Sequence, residues 1–289
     1  MLDIILYSAA IMALLISSVS DLKIREVPDW VSYSLIFLAL ASRLIFSLHE
    51  HDFIPFLQGL VGFAVMFLIA LAMFYTGQWG GGDSKLLMGI GAVFGIPFSL
   101  QQIPLLVIFI VNLLFLGTVY GLIWSVALVV IRFRDFRKEF KALFRKRVSV
   151  MSLRYVLIFS FCLFILVFFT RIRLLQVMLL ALAGIAIITF FVSIAIKAVE
   201  NSCMYKHLPP EKLTEGDWIA EDIKVSGRHI CGPKDLGISK EQIRELIMLK
   251  KQKKISRVLV KEGIPFVPSF LFAMIATMML GNWLALVMR

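Results

Sequence analysis

Residues 60–98 read "LVGFAVMFLIALAMFYTGQWGGGDSKLLMGIGAVFGIPF". The first 18 residues of this stretch are apolar and nearly uncharged, as expected for a helix that crosses about 30 Å of hydrocarbon. The last 13 residues predict a second, shorter and glycine-rich helix. An acidic residue between two such segments is costly in a membrane, so Asp83 is by default a candidate functional residue.

The composition extends this reading to the whole chain. Of its 289 residues, 60% are hydrophobic and 17% are charged, whereas soluble domains average about 45–50% and about 25%. We therefore predict an all-α polytopic membrane protein with about eight transmembrane helices, because helices satisfy their own backbone hydrogen bonds in lipid. The first apolar run has no basic segment before it and is predicted to be a spanning helix, not a removable signal peptide. The spans are expected at about 3–20, 31–48, 56–76, 85–100, 104–131, 155–170, 174–196 and 265–287.

Lysine and arginine predict the orientation of these spans. Loop 132–154 contains nine of them and segment 197–262 another fourteen, whereas loops 49–55 and 101–104 contain none. By the positive-inside rule the basic segments lie in the cytoplasm and both termini lie outside. The net charge of +11 is thereby assigned to orientation in the plasma membrane and to contact with membrane lipids, and no nucleic-acid-binding motif is present.

Two aspartates are predicted at the same face. Asp21 ends the first span and Asp83 precedes the fourth, both on the cytoplasmic side. Two carboxylates that meet cannot both ionise easily, so one retains a proton while the other is charged. The charged group can remove a proton from water while the protonated one polarises a carbonyl. Glycines 80–82 favour unusual backbone conformations and close approach of a substrate strand, although a plain interhelical turn is the alternative.

These residues resemble a known signature. The stretch Gly80–Asp83 fits the GxGD motif that type IV prepilin peptidases share with presenilin-type proteases, and "SK" with Leu86 extends the match toward the prepilin peptidase form. The segment "DLKIREVPD" at 21–29 is similar to the first motif of that family. A presenilin-type enzyme would instead have an acid in the helix just before GxGD, where this chain has none.

The resemblance implies an archaeal prepilin or preflagellin peptidase, an aspartyl endopeptidase that cuts short basic leaders from type IV pilin-like or archaellin precursors. It implies Asp21 and Asp83 as the catalytic residues. The supporting motif residues are Gly80, Gly81, Gly82, Lys85, Lys23, Arg25, Pro28 and Asp29. Methylating members of the family that these motifs resemble carry CxxC pairs, and this chain has none, so the resemblance implies no methyltransferase activity. The cysteines form no metal pattern, and we expect no cofactor or metal. The alternatives are a presenilin-like or signal-peptide-peptidase-like protease and a proton-coupled transporter, for which no inverted repeat is seen.

Three further features are open to two interpretations. Asp29 is expected to cap the second helix, with a direct catalytic part as the alternative. Lys85 is expected to contact lipid phosphate or a loop, with tuning of the aspartate pair as the alternative. His49 and His51 lie in an outside loop and are expected to be solvated, with a metal site as the alternative.

The sequence also suggests an organisation into five segments. Residues 1–131 form the catalytic membrane core, and 132–154 form a cytoplasmic amphipathic basic helix with phenylalanines at 133, 136, 140 and 144 facing the lipid. Residues 155–196 form a further transmembrane hairpin, 197–262 a small α+β cytoplasmic module, and 263–289 the final span. Within the module, 218–225 and 255–260 are predicted strands, and Ser239 with Gln242 is a predicted capping box for a helix over 240–254.

Two hypotheses concern substrate binding. A basic leader requires negative charge on a face rich in lysine and arginine. The acidic residues that could supply it are Glu215, Asp217, Glu221, Asp222, Glu26 and Glu262. An acidic loop that only solubilises the module is the alternative. Segment 262–270, "EGIPFVPSF", is expected to shape the rim of the site, with an ordinary proline-marked helix start as the alternative.

Overall fold

The computed structural model describes residues 1–99, 103–225 and 228–281. Most of these residues are helical. The helices are α1 (Leu2–Ile24), α2 (Asp29–His49), α3 (Ile54–Tyr75), α4 (Gly81–Phe94), α5 (Leu105–Ile131), α6 (Phe133–Arg145), α7 (Arg147–Phe169), α8 (Arg173–Val199), α9 (Lys240–Lys251) and α10 (Val267–Leu280). Within the described residues, six helices are long and apolar enough to cross a membrane: α1, α2, α3, α5, α7 and α8 with its extension. The helical membrane fold is confirmed, and the count of eight spans stays a prediction.

A small β region lies near the C-terminus, as predicted. It comprises β1 (Tyr205–Leu208), β2 (Trp218–Ile219), β3 (Ile223–Val225), β4 (Arg228–Cys231) and β5 (Val258–Lys261). β1 pairs antiparallel with β5, and β3 pairs antiparallel with β4. The single strand predicted over 218–225 is wrong: it is two short strands, interrupted by an Ala-Glu-Asp stretch that is poorly suited to a sheet.

The ends of α4 differ from the sequence prediction of 85–100. The helix begins at Gly81, so Asp83 lies in its first turn and not in the preceding loop. It ends at Phe94 because Gly95 adopts a left-handed φ of 64°, which terminates helices readily in glycine. The helix therefore has 14 residues, about 21 Å at 1.5 Å per residue.

The described residues of 1–122, 209–256 and 263–289 form one compact unit. In it α4 packs between α2 and α3 and also contacts α1, while α10 packs on α1. The approach of α3 and α4 requires two glycines, because a Cβ on Gly62 or Gly91 would collide with the backbone of the other. The core of this unit includes Leu14, Leu86 and Phe270, all fully buried.

The described residues of 123–208 and 257–262 form a second unit. Here α7 and α8 pair, and α6 lies against α8. The predicted amphipathic helix is confirmed as a helix, but three of its phenylalanines pack against protein. Phe136, Phe140 and Phe144 contact the buried cluster formed by Leu143 and α8. The aromatic face is thus largely covered by α8, whereas Phe133 is exposed.

Candidate active site

Asp21 lies in the last turn of α1, on the face that packs into the core. Its side chain is almost completely buried, with 7% exposure. The carboxylate oxygen Oδ2 accepts a hydrogen bond of 2.9 Å from the backbone N–H of Val267, the first residue of α10. A carboxylate at a helix N-terminus satisfies an otherwise unpaired N–H and is favoured by the helix dipole. Two elements that are distant in sequence therefore hold Asp21.

Asp83 is the third residue of α4 and is half-buried. Its Oδ2 accepts a hydrogen bond of 3.3 Å from the backbone N–H of Gly80, the residue that precedes the helix. α1 and α4 contact each other, and Gly82, next to Asp83, packs against Val27. The last turn of α1, which carries Asp21, and the first turn of α4, which carries Asp83, therefore lie in the same part of this unit. That these two residues act together as a catalytic pair stays a prediction.

The glycines before Asp83 have a different role from the one predicted. None of residues 80–82 has a positive φ; Gly80 is extended and the next two begin α4. Gly82 is instead required for close packing, since a Cβ there would lie 2.7 Å from Cβ of Val27. The left-handed residue in this loop is Gly77, with a φ of 68°, and the ring of Trp218 covers it.

The basic residues of the two motifs contact other parts of the site. Arg25 ends α1 in a left-handed conformation, and its Nη1 donates a 2.7 Å hydrogen bond to the carbonyl of Gly263. Lys85 forms an ion pair of 2.6 Å with Asp29 and lies over the ring of Tyr33. The capping role predicted for Asp29 is wrong, because Pro28 occupies the N-cap position and Asp29 is the first residue of α2. Lys23 is exposed.

Three acidic residues proposed for leader binding have local partners. Glu215 pairs with Lys240 at 3.0 Å, and this hydrogen bond raises the pKa of Lys240. Oδ2 of Asp217 accepts a 2.8 Å hydrogen bond from the backbone N–H of Thr214. Oδ1 of Asp222 lies 3.3 Å from Nε2 of His229.

The other three differ in their surroundings. Glu221 and Glu26 are exposed, whereas Glu262 pairs with Lys206 in the second unit. Of the acidic residues proposed for leader binding, Glu221 and Glu26 are therefore exposed and have no ion-pair partner among the described residues. The adjacent Trp218 lies against the loop that leads into α4.

Sequence reasoning missed Arg43 in α2. Its side chain is buried, with 5% exposure. It donates three hydrogen bonds to backbone carbonyls, those of Ala92 (2.9 Å), Val93 (2.7 Å) and Pro55 (2.9 Å). The first two carbonyls belong to the last turn of α4. A signal was available, since Arg43 is the sole charged residue in the apolar run 31–48 and such residues are functional or structural by default.

The arrangement supports acid–base chemistry by two carboxyl groups. Within the described ranges, no group of three or more histidine, cysteine, aspartate or glutamate side chains is placed to hold a metal ion. Residues 8–126 match the Type IV leader peptidase family. The resemblance drawn from the two motifs is thereby confirmed, and both aspartates lie inside the segment that matches this leader peptidase family.

Three relatives carry the name preflagellin peptidase. That of Methanocaldococcus jannaschii is 44% identical over 80 residues, covering 28% of this chain and 34% of the relative. That of Methanococcus voltae is 36% identical over 121 residues, covering 36% and 51%. That of Methanococcus maripaludis is 31% identical over 87 residues, covering 30% and 37%. The chain thus spans between about a third and a half of the length of these curated relatives. No solved structure matches the chain significantly.

Proposed function

We propose that this protein is a membrane-embedded aspartyl endopeptidase that removes short basic leader peptides from prepilin-like or preflagellin precursors. The observation that supports this most directly is that Asp21 lies in the last turn of α1 and Asp83 in the first turn of α4, two helices that contact each other. Both residues lie in the segment that matches the leader peptidase family, and relatives of that segment are named preflagellin peptidases. A presenilin-like protease and a proton-coupled transporter are not favoured by these similarities.

The two carboxyl groups divide the chemistry between them. The ionised one takes a proton from a water molecule, whose oxygen attacks the scissile carbonyl carbon. The protonated one donates a hydrogen bond to the carbonyl oxygen as negative charge develops there. When the tetrahedral intermediate collapses, the C–N bond breaks and the new amine takes up a proton. The supporting residues of the motifs (Gly80–Gly82, Lys23, Arg25, Pro28, Asp29 and Lys85) hold the backbone around the pair.

The substrate and the site meet at the cytoplasmic edge of the plasma membrane. We assign eight spans, the six long helices together with α4 and α10. The lysine- and arginine-rich segments then lie in the cytoplasm with both aspartates. A precursor that inserts its hydrophobic helix in the bilayer presents the leader at this depth. The basic segment 132–154 contacts anionic membrane lipids through its exposed cations.

Leader recognition is assigned to the acidic side chains of residues 215–222, with Glu26 beside the first motif. The local partners of Glu215, Asp217 and Asp222 described above leave Glu221 and Glu26 as the strongest candidates. We also propose the domain organisation predicted from the sequence, with segments 1–131, 132–154, 155–196, 197–262 and 263–289. We propose no cofactor, no metal and no N-methyl transfer, because the chain lacks the paired cysteines of the methylating members.

The test is cleavage by purified protein in lipid vesicles. The substrate is a synthetic precursor with a basic leader followed by its hydrophobic helix, and mass spectrometry of the products is the measurement. Asp21→Asn and Asp83→Asn should each lower the cleavage rate roughly a thousandfold or more, and the double variant should be no worse than either single one, because the pair acts as a unit. Asp135→Asn, at an exposed position of α6, is the matched control. Cleavage by either site variant within about tenfold of wild type would refute the assignment.

A further inference from the structure

The segment before α10 is tied to the first motif by two hydrogen bonds. Arg25 Nη1 donates to the carbonyl of Gly263 at 2.7 Å, and the N–H of Val267 donates to Asp21 at 2.9 Å. The second bond is buried and joins residues 246 positions apart in sequence. These contacts bracket a stretch of five residues, 263–267, and fix where it lies beside the end of α1.

The start of α10 is suited to hold a carboxylate. The first N–H groups of a helix have no partner within the helix, and Val267 supplies such a group to Asp21. Pro268, the second residue of the helix, has no N–H to leave unsatisfied in this buried place. This hydrogen bond occupies Oδ2 of Asp21 and restricts the rotation of the side chain. It does not involve Oδ1.

An aromatic cluster links the same segment to the loop that leads into Asp83. The ring of Trp79 lies 6.0 Å from that of Phe266 and 5.6 Å from that of Phe270, and the latter two are 5.8 Å apart in an edge-to-face arrangement. Phe270 is fully buried. Trp79 directly precedes Gly80, whose N–H binds Asp83. Aromatic contacts at these distances are favourable beyond simple burial.

We propose that residues 263–270 are a positioning element for the aspartate pair. Through Val267 this element orients Asp21, and through Phe266, Phe270 and Trp79 it fixes the loop that carries Gly80 and Asp83. One segment thus sets the separation of both carboxyl groups. It lies outside residues 8–126, the part of the chain that matches the leader peptidase family. The inference rests on the proposed protease function.

The first test removes the aromatic link in the full-length protein. Trp79→Ala should lower kcat roughly 10- to 100-fold, the size of effect expected when reacting groups shift by about 1 Å, with KM within about twofold of wild type. Trp79→Phe, which keeps an aromatic ring, should restore kcat to within about threefold. Trp30→Ala is the matched control, because Trp30 is 63% exposed on α2. Phe270→Ala should lower kcat to a similar extent as Trp79→Ala. Phe272→Ala is its control, because Phe272 is exposed on the same helix.

A second test removes the hydrogen bond. Val267→Pro deletes the N–H at the first position of α10, and Val267→Ala shortens the side chain while keeping the N–H. The proline variant should have a kcat at least about tenfold below that of the alanine variant. Because proline also restricts Phe266, thermal unfolding of every variant is measured alongside, and rates are normalised to folded protein.

The results separate the inference from the proposed function. Loss of cleavage in Asp21→Asn together with full kcat in Trp79→Ala and Val267→Pro would overturn the positioning role and leave the protease assignment intact. Loss of kcat only in proportion to loss of folded protein, or no rescue by Trp79→Phe, would also overturn it. Absence of cleavage by the wild-type protein would instead reject the proposed function itself.

Discussion

Arg43 is a buried residue that donates hydrogen bonds to carbonyl groups at the C-terminal end of the short helix α4. With 14 residues, α4 is about 21 Å long, less than the roughly 30 Å of hydrocarbon. In the proposed eight-span topology, its C-terminal carbonyls therefore end at a depth where water is scarce, and unpaired carbonyls are costly there. Arg43 donates to two of them and to Pro55. A cation is also favoured at this end of the helix by its dipole.

We expect Arg43→Ala to destabilise the protein by about 2–4 kcal/mol, since three hydrogen bonds from a charged donor are lost in a buried place. Arg43→Lys should recover part of this stability, because lysine retains the charge but lacks the planar fork that reaches three carbonyls. Thermal unfolding in detergent is the measurement, with the exposed Arg134→Ala as control. Equal stability of Arg43→Lys and wild type would show that charge alone suffices.

Gly82 is a second residue whose role is steric. A Cβ at this position would lie 2.7 Å from Cβ of Val27, so Gly82→Ala should cost about 1–3 kcal/mol, as is typical of overpacking. Val27→Gly in the same chain should recover part of that loss, because it removes the Cβ with which the added group collides. Gly121→Ala, at a position where an added Cβ meets nothing within 4 Å, is the control for helix propensity. Additive losses in the double variant, measured by thermal unfolding, would contradict this contact.

At the residue scale, the sequence indicated which side chains could be catalytic better than it indicated which residues they contact. Asp21 and Asp83 could be chosen because acids at the ends of apolar runs are rare and their neighbours resemble two known motifs. Asp29 was misassigned as a cap because a local rule was applied to it, whereas its partner Lys85 lies 56 positions away. Val267 contributes only its backbone to the site, so no pattern of side chains indicated it.

At the scale of elements, helix type and the capping box of α9 were predictable, whereas the ends of α4 and the packing partners were not. The capping box of Ser239 and Gln242 is confirmed, since it depends on residues three positions apart. The start of α4 was misplaced because glycines were interpreted as a loop, although Gly81 and Gly82 begin the helix. The aromatic stripe of α6 was correctly predicted to be helical. Its partner, α8, could not be deduced from a spacing that suits lipid and protein equally well.

The β3–β4 pair gives a prediction at this scale. Cys231 in β4 is fully buried, and burial raises the pKa of its thiol to about 11 from an ordinary value of 9.0. Only the thiolate is alkylated, so near pH 8 the folded protein should react with iodoacetamide roughly 100-fold more slowly at Cys231 than an ordinary thiol does. The rate should rise about tenfold per pH unit. Mass spectrometry of Cys231 peptides checks this, with denatured protein as control, and rapid labelling of folded protein would show that the hairpin opens.

For the whole molecule, segments far apart in sequence compose the two units. Residues 209–256 and 263–281 belong with the N-terminal helices, whereas 257–262 belong with α6–α8. Sequence order alone could not predict this division, because β5 joins the second unit by pairing with β1. The family match ends at residue 126, so local similarity identifies the aspartate-bearing helices and is silent on the C-terminal contacts that hold them.

Charge distribution leads to a last prediction about the leader. A basic leader meets many lysines and arginines on the proposed cytoplasmic face, and the exposed acids Glu221 and Glu26 are the groups available to oppose that repulsion. Exposed ion pairs contribute only about 0.2–1 kcal/mol each, so Glu221→Lys and Glu26→Lys should each raise KM about two- to fivefold at low salt and leave kcat within about twofold.

The effect should vanish as ionic strength rises from about 20 to about 500 mM, because screening shortens the reach of exposed charges. Glu50→Lys, which makes the same charge change at the opposite end of α2, is the matched control and should leave KM unaltered. A basic leader and one with its lysines replaced by glutamine are compared in the same vesicles, since only the basic leader should respond to charge reversal. If KM for the basic leader is independent of salt in wild type and in both variants, these acids do not bind the leader, and the residues that do must act through uncharged contacts.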